Sequence, residues 1–313
     1  MLKQRLQAAA FFAAGSMLVS AAALAAEQKQ EVQTGTIVTI LPKKEAPGGI
    51  PQSALHLKID GKEATITRFV PLRSPQSNVE LVVLIDDGAR MSLGLQMNDI
   101  ANFIKSQRPD TRVAIGYMYN GQAALGGPLT TDHNAALQAL RLPMHGGATI
   151  SASPYFCLSE LAKNWPSSDP HARREVVMIS DGIDYYEVRY DPEDPYVQAA
   201  MDDSVRAHMI VYAIYWRSTG FLDRTQYGAD DGQNLLAIIT GGTGGESYWE
   251  GLGNPVTLQP YFEEISRRFD HQYEMDFMTA VGNKPEMQGI KLSVSAKAKV
   301  SVPQEVYVYP PAQ

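Results

Sequence analysis

Two short stretches hold the side chains best placed to do chemistry. Asp86 and Asp87 follow the apolar run Val79 to Ile85, broken only by Glu80, and are followed by Gly88, Ala89 and Arg90. The second stretch, Ser180-Asp181-Gly182, follows the apolar run Val176 to Ile179, with Asp184 just behind it. A buried strand that stops at a carboxylate and a glycine delivers charge to the edge of a sheet, and that edge is where open α/β sheets bind ligands. Two such strand ends in one parallel sheet would bring Asp86 and Asp181 to the same edge. Carboxylates gathered there suit a hard cation.

The elements that must position these residues read as alternating strands and helices. Residues 79–86, 112–119, 175–180 and 209–215 are strand-like. Helical spacing appears in Leu93, Met97, Ile100 and Ile104 with Ser92 as the expected cap, and again after Asp132, Ser153-Pro154 and Pro195. Two later helices are expected to begin at Asp230 or Asp231, ending at Gly241-Gly242, and at Thr257. This alternation predicts an α/β fold: a doubly wound, mostly parallel sheet with helices on both faces. Residues 34–41 and a hairpin about Asp60-Gly61 form a small β unit before it. Residues 272–281, 290–302 and 306–309 form a tail of antiparallel strands, expected to pair with one another and with that hairpin. The expected division is a signal peptide over 1–25, the β unit and linker over 26–78, the α/β domain over 79–272 and the β tail over 273–313.

Lys3 and Arg5, the apolar run Ala8 to Leu24 and the small-x-small Ala23-Leu24-Ala25 have the layout of a secretory signal, so export to the periplasm or the extracellular space is expected, with no stable membrane span after cleavage. Without Lys3 and Arg5 the chain carries 25 basic and 34 acidic residues, a balance of −9 with no basic cluster, which argues against nucleic acid. Cys157, the sole cysteine, sits between Phe156 and Leu158 and reads as a buried structural thiol. The six histidines are scattered and give no zinc spacing.

The order strand-Asp86-x-Gly88-x-Arg90, then Gly146-Gly147-Ala148-Thr149, then a strand ending in Ser180-Asp181-Gly182 resembles the von Willebrand factor type A domain of secreted bacterial proteins. In that family Asp-x-Ser-x-Ser, a threonine of the Gly-Gly loop and a later aspartate hold a divalent ion that accepts a carboxylate from a partner. Carried over, the resemblance implies Asp86, Thr149 and Asp181 as ligands of Mg²⁺ or another divalent cation. Gly88 and Arg90 replace the two serines; the first has no ligating side chain and the second is a fixed cation. The expectation is therefore a degenerate site with no resident cofactor, in which Arg90 supplies the counter-charge to Asp86 and Asp181. If Arg90 points elsewhere, Asp87 supplies a replacement oxygen and an ion site survives.

Other readings are weaker. Ile85-Asp86-Asp87-Gly88 is similar to the Asp-x-Asp-Gly of haloacid-dehalogenase phosphatases, with Ile85 in the nucleophile's place. Gly241 to Gly245 lacks the lysine of a phosphate loop, and Asp191 to Asp194 reads as an acidic helix start. The expected function is non-enzymatic: binding of a protein or cell-surface polymer through an edge built from Asp86, Asp87, Gly88, Arg90, Gly147, Thr149, Asp181 and Asp184. The alternatives are a metal-dependent adhesion module and an envelope hydrolase or phosphatase.

Overall fold

The computed structural model describes residues 29–43, 49–72, 78–144, 153–169, 172–187, 189–220, 222 and 225–311. The expected signal peptide and the loop carrying Gly147 and Thr149 lie outside the described residues. In chain order the strands are β1 (Gln30–Pro42), β2 (Leu55–Ile59), β3 (Lys62–Ala64), β4 (Ile66–Pro71), β5 (Val79–Asp86), β6 (Arg112–Tyr119), β7 (Gln122–Leu125), β8 (Arg173–Ser180), β9 (Met209–Tyr215), β10 (Ser247–Tyr248), β11 (Gln272–Val281), β12 (Glu286–Val294), β13 (Ala298–Ser301) and β14 (Glu305–Val308). The helices are α1 (Met97–Ser106), α2 (His133–Leu137), α3 (Pro154–Lys163), α4 (Pro195–Arg206), α5 (Gln226–Thr243) and α6 (Gln259–Phe269).

Strand β5 lies at the middle of a six-stranded sheet of order β10-β9-β8-β5-β6-β7. All of its neighbours run parallel except the edge strand β7, which turns back on β6 through Asn120 and Gly121, both at positive φ. This is the expected doubly wound sheet, and its order is that of a sheet with a topological switch between β5 and β8. Side chains of a strand alternate between faces. Leu81, Val83 and Ile85 therefore pack with α1, α2 and α6, while Val82 and Leu84 pack with α3, α4 and α5. Each is fully buried, worth roughly 1.5–3 kcal/mol apiece. A one-residue slip would exchange the two faces, so the position of Asp86 at the strand end is set by packing. Glu80, the polar break in the run, is also fully buried and is held by the Arg112 guanidinium and the Trp165 indole N–H.

The flanking β segments form one unit. Strand β1 pairs with β11 and β13, β4 pairs with β11, and β12 lies between β14 and β2. The two four-stranded antiparallel sheets enclose Val38, Ile40, Leu57, Phe277, Leu292 and Val308. The tail thus docks on its own chain. Arg268, 1% exposed, ties the two units together by reaching Glu246 and the Ser301 hydroxyl.

Four helix boundaries differ from expectation. Ser92 lies in a 3₁₀ stretch, Met91–Gln96, so α1 begins only at Met97 and has no side-chain cap. Thr225, not Asp230 or Asp231, caps α5 by accepting from the Gly228 N–H. Helix α5 continues through Gly241-Gly242, with Gly242 packed where a Cβ would meet Met201 Sδ, and ends at left-handed Gly244, φ 85°. Leu258 holds the N-cap position of α6, and the Thr257 hydroxyl accepts from the Gln259 N–H.

One buried acid is left over from this scaffold. Glu175 on β8 is fully buried, neither carboxyl oxygen accepts a hydrogen bond among the described residues, and Arg173 Nε is 3.7 Å away. Burial pushes its carboxyl from the ordinary 4.5 up to about 7. The folded chain then holds this proton more tightly than the unfolded chain, so the associated stability is full below about pH 4.5 and is lost as pH rises through about 7. Urea denaturation should show Glu175→Gln gaining on the parent by about 2 kcal/mol between pH 5 and pH 8; parallel pH profiles would mean that Glu175 is ionised throughout.

Candidate functional site at the carboxyl edge of the parallel sheet

The carboxyl ends of β5 and β8 are adjacent, because the strands pair in register up to Ile85 and Ile179. Asp86 and Asp181 accordingly stand side by side at the edge. Asp86 Oδ1 accepts from the Gly88 N–H at 2.8 Å, and Oδ2 lies 3.5 Å from the Ser180 hydroxyl. Asp181, 1% exposed, accepts from the Ile183 N–H and the Tyr185 hydroxyl, both at 3.0 Å. Gly182 between them has φ 69°, and a Cβ there would lie 2.4 Å from the Gly232 carbonyl, so glycine is required for this turn. Asp184 is also buried; Oδ1 takes the Tyr186 N–H at 2.8 Å, Oδ2 has no hydrogen bond among the described residues, and burial holds its carboxyl above the usual range.

Arg90 is directed to the segment after β9, and the arginine that pairs with Asp87 is a different one. Arg90 Nε donates to the Ser218 carbonyl at 2.8 Å and its backbone N–H to the Arg217 carbonyl at 3.0 Å. Among the described residues its guanidinium forms no ion pair with Asp86 or Asp181. The reason is the turn that follows β5: Ala89 bridges to Ser218, and the Gly88 carbonyl accepts from the Thr219 N–H. That stitching carries Arg90 toward the segment after β9. Asp181 is linked to that segment through the Tyr185 hydroxyl and the Ser218 hydroxyl 3.0 Å beyond.

The guanidinium that meets an edge carboxylate belongs to Arg141. Its Nη1 and Nη2 donate to the two oxygens of Asp87 at 2.6 and 3.0 Å, and the Met144 N–H adds a third bond at 2.8 Å. Tyr117 fixes that arginine: its hydroxyl donates to the Arg141 carbonyl and accepts from the Arg141 N–H, and its ring lies 3.7 Å beneath the guanidinium. Asp87 is 1% exposed, so its charge is held inside the protein by a bidentate pair. Arg141, Tyr117, Tyr185 and Ser218 were not identified from the sequence. Arg141 is 54 positions from its partner, and no spacing rule connects them.

A cavity of about 20 Å³, room for one water or ion, is lined by Asp86, Asp181, Asn120, Ser153, Cys157 and Tyr185. The Cys157 thiol is pushed far up by burial, which suits a structural role. A hard divalent ion takes about six oxygens. The side chains of Gly88 and Arg90 provide none, and no group of three or more His, Cys, Asp or Glu side chains suited to a metal ion occurs among the described residues. These residues do not by themselves make a full cage.

Removal of the Arg141 side chain should leave Asp87 buried and unpaired. Arg141→Ala is expected to cost about 3 kcal/mol in urea denaturation. In a double-mutant cycle with Asp87→Ala the coupling should be about 1–2 kcal/mol; additive losses would show that the pair contributes no net interaction.

No known family profile matches the chain, and no curated protein matches its sequence. Solved structures give partial likenesses. An aerotolerance-related membrane protein from Bacteroides fragilis is 14% identical, over 61% of this chain and 98% of that one, with a TM-score of 0.42. BatB from Bacteroides thetaiotaomicron is 13% identical over 61% and 96%, with a TM-score of 0.40. The VWA domain of SpRpn10 is 13% identical over 55% and 90%, with a TM-score of 0.37. They add nothing on function. The sheet order, with its antiparallel edge strand and helices on both faces, makes the central fold a doubly wound α/β sheet.

Proposed function

We propose that this chain is a non-enzymatic, exported binding or scaffold protein that holds a protein or surface polymer on the carboxyl edge of its parallel sheet without a resident divalent ion. The observation that carries this reading is the distribution of exposed apolar side chains. Among the described residues, all the exposed large ones except Val70 and Tyr309 lie on segments at or leading from this edge. Leu95 and Val256 are 82% and 89% exposed, and the Gln96 side chain donates to the Val256 carbonyl, which brings their segments together. Met144 is 69% exposed on the segment anchored to Asp87. Beyond β8, Phe156, Tyr186 and Tyr196 meet edge to face at 5.0–5.3 Å. Apolar and aromatic side chains gathered around buried polar groups are the composition of a macromolecular interface.

In this reading Asp87–Arg141 and Asp181–Tyr185–Ser218 hold the loops in place, and the exposed side chains make the contact. An acyl or phosphoryl transfer would need an accessible nucleophile beside a base, and the buried Cys157 does not provide one.

Incorporation of a photoreactive benzoylphenylalanine at Leu95, Met144 or Tyr186 should give a discrete crosslinked adduct in the producing cell, unchanged by EDTA; at Tyr309 it should give none. An adduct confined to Tyr309, or one abolished by chelator, would defeat the reading. The small cavity between Asp86 and Asp181 favours a second reading, an ion held by Asp86, Thr149 and Asp181. Calorimetric titration with Mg²⁺, Mn²⁺ and Ca²⁺ distinguishes the two: heat that disappears in Asp86→Asn supports the ion, and no heat removes it.

A further inference from the structure

Strand β1 is paired along its full length on one side only. Its partner β11 runs beside Gln30 to Thr39, whereas β13 pairs only with Thr39 to Pro42 on the other side. The Ile40 N–H points to β11, donating to the His271 carbonyl, and the Lys43 N–H points the other way, to the Lys297 carbonyl. Strand alternation then directs the backbone groups of Ile37, Gly35, Gln33 and Glu31 away from β11, and no described strand meets them. The chain that would continue β13 leaves instead at Pro303, where the Gln304 N–H donates to the Gly242 carbonyl at the end of α5.

A groove of about 260 Å³ lies against this open edge. Gly35 to Ile37 form one side and Pro303 to Tyr307 another, with His208 and Met209 below. Its charged lining side chains are carboxylates: Glu274, Asp276 and Glu305. Arg68 pairs with the first two at 2.6 and 3.5 Å, and Arg206, over the Tyr307 ring, is itself paired with Asp202 and Asp203. His208 adds no charge near neutrality, because burial lowers its basicity. Asp276 Oδ1 stands 2.5 Å from where a Cβ of residue 35 would be, so glycine leaves the carboxylate room over the face of β1. The volume is below that of a typical small-molecule pocket and suits a long side chain instead.

We propose that an extended peptide bearing basic side chains adds as a strand along Glu31–Ile37 of β1, continuing the line of β13, with one basic side chain in the groove bounded by Asp276 and Glu305. Backbone bonds to the four outward-facing residues would supply the affinity, and the carboxylates would select lysine or arginine at alternate positions. This surface is distinct from the carboxyl edge of the parallel sheet.

The probe is a capped, fluorescein-labelled heptapeptide with lysine at alternate positions and valine or threonine between them, titrated against the full chain by fluorescence polarisation. Gln33→Pro removes one outward N–H at an exposed edge position where proline is tolerated, so the fold should survive. Binding should weaken about tenfold or more in Gln33→Pro and with a peptide N-methylated at every residue, which has no N–H left for either edge. It should weaken several-fold in Glu305→Gln, and again when salt rises from about 0.05 to 0.5 M. Equal binding by Gln33→Pro, binding of the N-methylated peptide, or no binding at millimolar peptide would each overturn the proposal. Sedimentation showing a dimer that Gln33→Pro dissolves, with no peptide bound, would assign the edge to a second copy and overturn it likewise.

Discussion

A carboxylate closed off from water has to be paired, and strand β5 ends in two carboxylates at the centre of a sheet covered on both faces. The cost of leaving one unpaired is several kcal/mol, comparable to the net stability of a domain. Asp87 meets that constraint through Arg141 and the Met144 N–H, and the arginine is in turn fixed on Tyr117. This one ion pair fastens the segment entering the glycine-rich loop to the end of the central strand. The surroundings of the carboxyl edge follow from it: the exposed Met144 is displayed by the same backbone that satisfies Asp87.

Asp181 meets the same constraint through hydrogen bonds on both oxygens. Its two oxygens take a backbone N–H and the Tyr185 hydroxyl, which continues to Ser218 and so to the segment that holds Arg90. Hydrogen bonds to a carboxylate stabilise its charge without neutralising it. Asp86 and Asp181 thus border a cavity of one water's size, beside the anchored Asp87–Arg141 pair. A rigid polar floor beneath mobile-length aromatic and aliphatic side chains is a sound construction for a binding face, since the floor costs little further ordering when a partner arrives.

The β unit has a different logic. Its two sheets are assembled from both ends of the described chain around a shared apolar core, so the α/β domain is inserted between strands that pair with each other. Strand β11 is central, flanked by β1 and β4, whereas β1 is left half open where β13 departs. Open edges are usually blunted by charge. Here the nearby carboxylates of Asp276 and Glu305 would repel an acidic strand and admit a basic one.

The alternation of apolar runs with helical spacing was enough to indicate a doubly wound sheet, because strand and helix periodicities are local and burial on both faces leaves an unbroken apolar signature. The hairpin at Asp60-Gly61, the helix starts at Asp132 and Ser153, and the adjacency of Asp86 and Asp181 were legible for the same reason. Helix starts misread at Ser92 and Asp230 depended on which of several capable residues the tertiary packing selected. The identity of the counter-charge was not legible at all. Arg90 is four positions from Asp86, yet the turn stitched to residues 217–219 directs it away, while Asp87 is paired by Arg141 from a segment 54 residues distant. Pairing of charges is decided by distances of a few ångströms in the folded chain, and sequence separation carries almost no information about them.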